Sequence, residues 1–342
     1  MNKTAKNGLL IALSVIIVLV VVVCAGLTCL SWIKGSGEEE EVVEADAEVV
    51  DSYTYEDLLA AKEEGRQELL DEIQEMIESG YSTTGALRRV YADTDEILVA
   101  TDGDIVFVPV SDSVAKSTFS QDNLQVLETG EFQYVENGEV TSNKGIDVSR
   151  FQEEIDWEQV AADGVEYAFI RVGIRGYGSG ALVEDEAYET NVEGASAQGI
   201  SVGVYFYSQA ITEEEAIEEA DFVLEAVSRY DCITLPIVMD VEKVGVEGAR
   251  ADSLTQEERT AICIAFCERI AEAGYTPMIY GNVETFTLLL DIEQVAQYDR
   301  WIAYCDEILC FPYEFSIWQY THDGTVAGIE GSTDLNLSFK EW

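Results

Sequence analysis

From Gly145 to Leu335 the chain repeats one pattern, a short apolar run of strand type followed by a segment of helical type. The strand-like runs are 145–148, 167–172, 201–207, 235–241, 276–280, 300–304, 315–320 and 332–335. Helical segments fall between the early ones, at 157–162, 187–198, 213–229, 255–273 and 284–290. The segment 213–229 shows the logic. Thr212 can cap it, Glu213 to Glu215 favour the N-terminal dipole, and Ala216, Ala220, Val223, Leu224 and Val227 make one apolar stripe. Strands apolar on both faces that alternate with helices imply a parallel sheet, and eight of them imply closure into a barrel. The last three runs are separated by only about ten residues, too few for full crossover helices. The expected fold is therefore α/β, an irregular (β/α) TIM-like barrel.

Upstream, Lys3 and Lys6 precede an unbroken apolar run at 9–33. About 20 such residues span a bilayer, whereas the core of a cleavable signal peptide has about 7–15. The run reads as an uncleaved transmembrane helix. Lysines before it, and acids from Glu38 to Glu41 after it, put the N-terminus in the cytoplasm and the remainder outside. The expected organisation is a cytoplasmic tip and membrane anchor at 1–34, an acidic spacer at 35–54, a small α+β stalk module at 55–143, and the barrel at 144–342. In the module, Leu58, Leu59, Leu69, Leu70, Ile73, Met76 and Ile77 recur at helical spacing. Runs 97–100 and 105–110 flank Asp102-Gly103, and a second hairpin surrounds Asn137-Gly138. No cluster of catalytic residue types occurs there, so the module reads as a stalk, with homo-oligomerisation or envelope-complex assembly through its helix as the other use.

The formal charge is −48, with 67 acids against 19 bases. An acidic chain of that kind can stay unfolded, but 47% hydrophobic and 10% aromatic residues supply a core. Such a polyanion repels phosphates, which excludes a nucleic-acid partner. A single histidine, His322, excludes His-cluster metal sites; it reads as a surface-loop residue or a substrate contact. Cys24 and Cys29 fall in the apolar run. Five cysteines remain, so not all can pair within the chain; Cys263 and Cys267 read as core, and Cys305–Cys310 as a candidate short-loop disulfide.

In parallel barrels the active site lies at the C-terminal ends of the strands. The apolar run from Leu235 ends in Asp240-Val241-Glu242, and spacing of two puts both carboxylates on one face. Asp147 ends the first run and Asp334 the last. First and last strands are neighbours in a closed barrel, so these two face Asp240 and Glu242 across one cavity. Mutual repulsion and burial raise the pKa of at least one acid, which keeps a general acid protonated. Paired carboxylates of split character suit glycosidic cleavage; a divalent-cation site for phosphoester hydrolysis is the competing chemistry. Tyr205 and Tyr207 share a face, as do Trp318 and Tyr320, while Tyr280 closes one strand and Trp301 opens the next. Rings near strand ends serve either as core or as sugar-stacking surface. Arg171 and Arg175 could meet substrate carboxylates, and Arg171 could equally neutralise the acids.

The segments Gly145-Ile146-Asp147-Val148-Ser149, Phe151-Gln152, Ile155-Asp156-Trp157 and Phe169-Ile170-Arg171 resemble the opening of the family 25 glycoside hydrolase lysozymes. The same holds, in order, for Gly203 to Ser208, Met239 to Glu242, Ile279 to Asn282, Trp301 to Ala303, Trp318 to Thr321 and Asp334 to Asn336. The resemblance implies an enzyme that needs no cofactor and cleaves the β-1,4 bond between N-acetylmuramic acid and N-acetylglucosamine in peptidoglycan. It implies Glu242 as general acid, Asp240 as stabiliser of developing positive charge or orienter of the acetamido group, and Asp147 and Asp334 as tuning acids. Tyr205, Tyr207, Tyr280, Trp301, Trp318 and Arg171 are then the substrate-binding set. The motif leaves the second step open between an enzyme nucleophile and the substrate's own acetamido group. Expected is thus a membrane-anchored muramidase whose catalytic domain faces the cell wall. The alternatives are a non-catalytic wall-binding or scaffold protein and a metal-dependent phosphoesterase.

Overall fold

The computed structural model describes residues 54–92, 94–306, 308–340 and 342. The expected anchor at 9–33 and nearly all of the acidic spacer lie outside the described residues. Among the described residues no helix is long and apolar enough to cross a membrane. The chain divides into two compact units, 1–63 and 64–342.

Helix α1 (Tyr55–Glu78) carries the expected periodicity but no buried residue. Helix α2 (Thr83–Tyr91) has no counterpart in the sequence reading; Ser82 caps it, its Oγ accepting from the Gly85 amide at 2.8 Å. Strands β1 (Glu96–Thr101) and β2 (Asp104–Pro109) form the expected hairpin, with Asp102 and Gly103 both at positive φ, as a tight two-residue turn demands. Strands β3 (Leu124–Val126), β4 (Phe132–Glu136) and β5 (Glu139–Val140) pair antiparallel.

The barrel strands and helices then alternate: β6 (Asn143–Val148), α3 (Trp157–Ala162), β7 (Tyr167–Arg175), β8 (Leu182–Glu184), α4 (Tyr188–Ala197), β9 (Ser201–Tyr207), α5 (Glu213–Val227), β10 (Ile233–Asp240), α6 (Gln256–Glu272) and β11 (Pro277–Asn282). A π-helical turn (Thr285–Leu289) precedes β12 (Asp299–Ala303), β13 (Ile317–Gly324) and β14 (Thr333–Ser338). Around the ring the order is β6-β14-β13-β12-β11-β10-β9-β7, and β7 pairs back with β6; β8 hangs on β7 outside the closure. All eight expected strands are present. The sheet is not wholly parallel, however: β14 runs antiparallel to both β13 and β6. The link from β13 to β14 is too short for a crossover, so the chain can only turn back on itself.

Two apolar layers result. The barrel interior holds Phe169, Val238, Met278, Trp301 and Ile317. The outer layer, between strands and helices, also takes Ile97, Val99 and Val114 from the segment before β6. Phe119 meets Trp318 edge-on at 5.6 Å, and Phe132 stacks on Tyr320 at 4.6 Å. The compact unit 64–342 therefore contains both the barrel and the strands that precede it.

Inside the barrel, glycine is a steric requirement at Gly203, where an added Cβ would stand 2.3 Å from the fully buried Phe169 ring. Gly203→Ala is expected to cost about 1–3 kcal/mol of unfolding free energy. Urea denaturation measures it, and an unchanged midpoint would contradict the packing described.

Candidate active site

Strand β10 delivers Asp240 as its last residue, and Glu242 follows one residue beyond. The stretch between them is pinned on both sides: Ser208 N donates to Asp240 O at 3.1 Å, Val241 N to Tyr280 O at 3.0 Å, and Thr285 Oγ1 to Val241 O at 2.9 Å. Asp147 lies near the end of β6. Asp334 sits at the start of β14, not at its end as the parallel reading expects. Because that strand is reversed, its beginning reaches the same mouth, and Asp334 pairs in register with Asp147.

The four acids act on one another in a ring. Burial pushes Asp147 well above the usual carboxylate range, and the charge of Asp334 pushes it further. Burial does the same to Asp240, followed by the charges of Glu242 and Asp147, while Arg171 pulls it back. Glu242 is raised by burial; His322 opposes that shift and Asp334 adds to it. Asp240 Oδ1 is buried and has no hydrogen-bond partner.

Asp147 is held by two amides with opposite neighbours. Gln319 Nε2 and Asn336 Nδ2 both donate to its Oδ2, at 2.9 and 2.8 Å. Gln319 in turn accepts from the Tyr280 hydroxyl at 2.8 Å, and Asn336 accepts from Trp301 Nε1 at 2.8 Å. Each amide is oriented by a ring donor, so its NH2 end is committed to the acid. With both donors on one oxygen, the other is left for the hydrogen bond that Asp147 makes with Asp334.

Of the residues expected to bind substrate, Tyr205, Tyr207 and Tyr280 face the acids. Burial raises all three phenols, followed by Asp147 for Tyr205, Asp240 for Tyr207 and Glu242 for Tyr280. They stay protonated, and the O–H of Tyr280 is the one already given to Gln319. Trp301 lies beneath, fully buried, with its indole N–H on Asn336; it is barrel core, not a stacking face. Trp318 is turned to the other side of its strand, where it packs on Phe119 and Phe132 and donates to Tyr304 O at 2.8 Å. Period-two alternation decides this: Ile317 and Gln319 face inward, so Trp318 and Tyr320 must face outward. Arg171 spends its guanidinium on Asp185, at 2.6 Å, beneath the ring of Phe151. Arg175 is buried against α5 on Glu219, away from the acids. Cys305 and Cys310 are free thiols.

Sequence reasoning gave no role to Gln319 and Asn336, although both stand inside motifs that it quoted. The available signal was alternation: Asn336 is two residues from Asp334 and so shares its face. His322 is no plain loop residue, since its Nδ1 lies 2.8 Å from Asp334 Oδ1. A cavity of about 250 Å³ opens beside Glu242, walled by Tyr280, Asn282 and His322 and, from before the barrel, by Arg88 and Ala100. Lys243 clamps that wall, bonding Asp102 at 3.1 Å and Glu284 at 2.5 Å. Among the described residues, no group of three or more His, Cys, Asp or Glu is arranged to hold a metal ion.

The acid pair should be measurable as a stability cost. Asp147 has a higher pKa folded than unfolded, so the native state holds more protons and loses stability as pH rises from the unfolded carboxylate pKa toward the folded one. Asp147→Asn keeps the acceptor for the two amides and a donor for Asp334. It should be more stable than the parent at pH 7 by about 1 kcal/mol or more, with the difference closing near pH 4. Urea unfolding across pH tests this; a variant less stable at pH 7 would contradict it.

Comparison with known proteins agrees with this fold. The model of the glycosyl hydrolases family 25 matches residues 146–329. The chain is 28% identical over 200 residues to the uncharacterized protein YegX of Escherichia coli O157:H7, covering 56% of this chain and 68% of that one. It is 26% identical over 202 residues to lysozyme M1 of Streptomyces globisporus, covering 56% and 66%. The modular autolysin LytC from Streptococcus pneumoniae superposes with a TM-score of 0.53 at 23% identity, over 70% of this chain and 57% of that one; it has also been solved with a synthetic peptidoglycan ligand. The present chain thus spans little more than half of the autolysin's length, and that likeness speaks for the fold. Matched from the first barrel strand to the approach of the last, across more than half of its length, the chain belongs to glycosyl hydrolase family 25.

Proposed function

We propose that the chain is a peptidoglycan hydrolase that cleaves the β-1,4 bond between N-acetylmuramic acid and N-acetylglucosamine. The observation that carries this is a carboxyl with a raised pKa, Glu242, on the wall of a cavity, backed by the buried Asp240 and the Asp147–Asp334 pair. Protonated, Glu242 donates to the leaving glycosidic oxygen. Asp240 has a buried oxygen with no partner, free to stabilise the positive charge that develops on the sugar or to orient the acetamido group. Asp147 and Asp334 tune the protonation of the pair, and Tyr205 and Tyr207 supply phenolic donors beside the acids. Lysozyme M1, and the autolysin solved with a peptidoglycan ligand, support this substrate class.

The setting belongs to the same proposal. Residues 1–34 anchor the chain in the cell membrane with the N-terminus cytoplasmic, and the barrel works on the cell wall outside. Helix α1, with Leu69, Leu70 and Ile77 exposed, is the segment that would meet another copy or an envelope component.

Glu242→Gln should lower release of reducing sugar from peptidoglycan by about 10²–10⁴-fold with an unchanged circular dichroism spectrum; a variant as active as its parent would end the assignment. Parent activity should fall as pH rises through the raised pKa of Glu242, since the acid must carry its proton. Mass analysis of the fragments should find N-acetylmuramic acid at the new reducing ends. In fractionated cells the chain should pellet with membranes and leave them when residues 1–34 are removed; a pellet that persists after removal would contradict the anchor.

A further inference from the structure

His322 is the sole histidine of the sequence, and it stands near the end of β13 rather than in a loop. Nδ1 is bonded to Asp334 at 2.8 Å, and the side chain also hydrogen-bonds Cys305. Cys305 donates its own thiol proton to Gln319 O at 3.9 Å. A ring nitrogen at 2.8 Å from a carboxylate oxygen favours the imidazolium, which pairs with Asp334 as a cation. The same side chain lines the cavity that holds Glu242.

The other charged groups around the cavity have local partners. Arg88, from α2, lies on Asp306 at 3.1 Å, and Glu284 is held by Lys243 at 2.5 Å and accepts from Thr101 at 2.6 Å. Tyr280 and Tyr304 complete the wall as neutral phenols, both pushed up mainly by burial. His322, although paired with Asp334, is the cation whose charge reaches Glu242.

We infer that His322 is a positioning residue for the reaction: its imidazolium occupies Asp334 as an acceptor, assigns the proton of the Asp147–Asp334 hydrogen bond to Asp147, and sets the upper pH at which Glu242 still works as an acid. The inference rests on the muramidase reading of Glu242. Asp334 accepts twice, once from the ring N–H and once from the carboxyl of Asp147, and Asp147 Oδ2 is already filled by Gln319 and Asn336. The direction of each effect agrees: Asp334 first, and then Cys305, push His322 up to about 10, and His322 pulls Glu242 down against burial. Removing the cation leaves Glu242 protonated to higher pH.

Because the chain has one histidine, its ring can be titrated by NMR in the intact protein without assignment. The imidazole should stay protonated through neutral pH, far above an ordinary histidine; a midpoint near 6.5 would overturn the inference. With peptidoglycan as substrate, His322→Gln should move the alkaline limb of kcat/KM upward by about one pH unit, and His322→Lys, which keeps a positive charge, should leave it in place. A residue of purely structural importance would change the amplitude in both variants and move the limb in neither. Failure of the two readings can be told apart. A parent that releases no reducing sugar overturns the reading of Glu242 and this inference with it. An active parent whose alkaline limb is indifferent to His322→Gln overturns the role of His322 alone.

Discussion

Because β14 runs against both of its neighbours, the beginning of that strand reaches the mouth of the barrel, and Asp334 lands opposite Asp147. Two like charges facing each other across adjacent strands repel, more so where burial removes water. A proton held between them, with donors arranged around it, relieves that repulsion. Gln319 and Asn336 are those donors, and Tyr280 and Trp301 fix the direction in which they donate. The interior packing and the chemistry therefore share residues: the indole that fills the barrel also orients the amide that holds the acid.

That economy has a thermodynamic consequence. Asp147 and Asp240 are almost fully buried, and one oxygen of Asp240 has no partner at all. Unpaired buried acids cost stability, and sites that need shifted protonation accept that cost. The compensation comes from the extensive apolar layers around the barrel, to which the segment before β6 contributes through Ile97, Val99 and Val114. That segment does more than pack. Arg88 and Ala100 wall the cavity beside Glu242, and Lys243, next to Glu242 in sequence, is bonded to Asp102 of the hairpin. Part of the cavity is thus built by residues that lie outside the family match.

Much of the barrel was legible from patterning alone. The apolar runs named all eight strands, and spacing of two put Asp240 and Glu242 on one face. What escaped were features that depend on a neighbour. Alternation showed that Trp318 and Gln319 face opposite ways, yet not which of them faces in; aromatic type suggested the ring, and the structure chose the amide. The direction of β14 was misread because an apolar strand looks alike in either orientation. α2 escaped although it is amphipathic, because it is only nine residues long and opens on Thr83, Thr84 and Gly85, all weak helix formers.

The −48 charge suggested at first a chain that could stay unfolded, yet within the folded barrel the cation that acts on Glu242 is a lone histidine that no motif marks. By itself the sequence determined which residues alternate, where turns must fall and which acids lie near strand ends, because those follow from local periodicity and backbone preference. Only the tertiary structure decided that Asp334 faces Asp147, that Trp301 and Tyr280 support the acids through amides, and that His322 joins them. These are contacts between positions tens to nearly two hundred residues apart or on reversed strands, and their energies depend on burial and distance, which exist only once the barrel has closed.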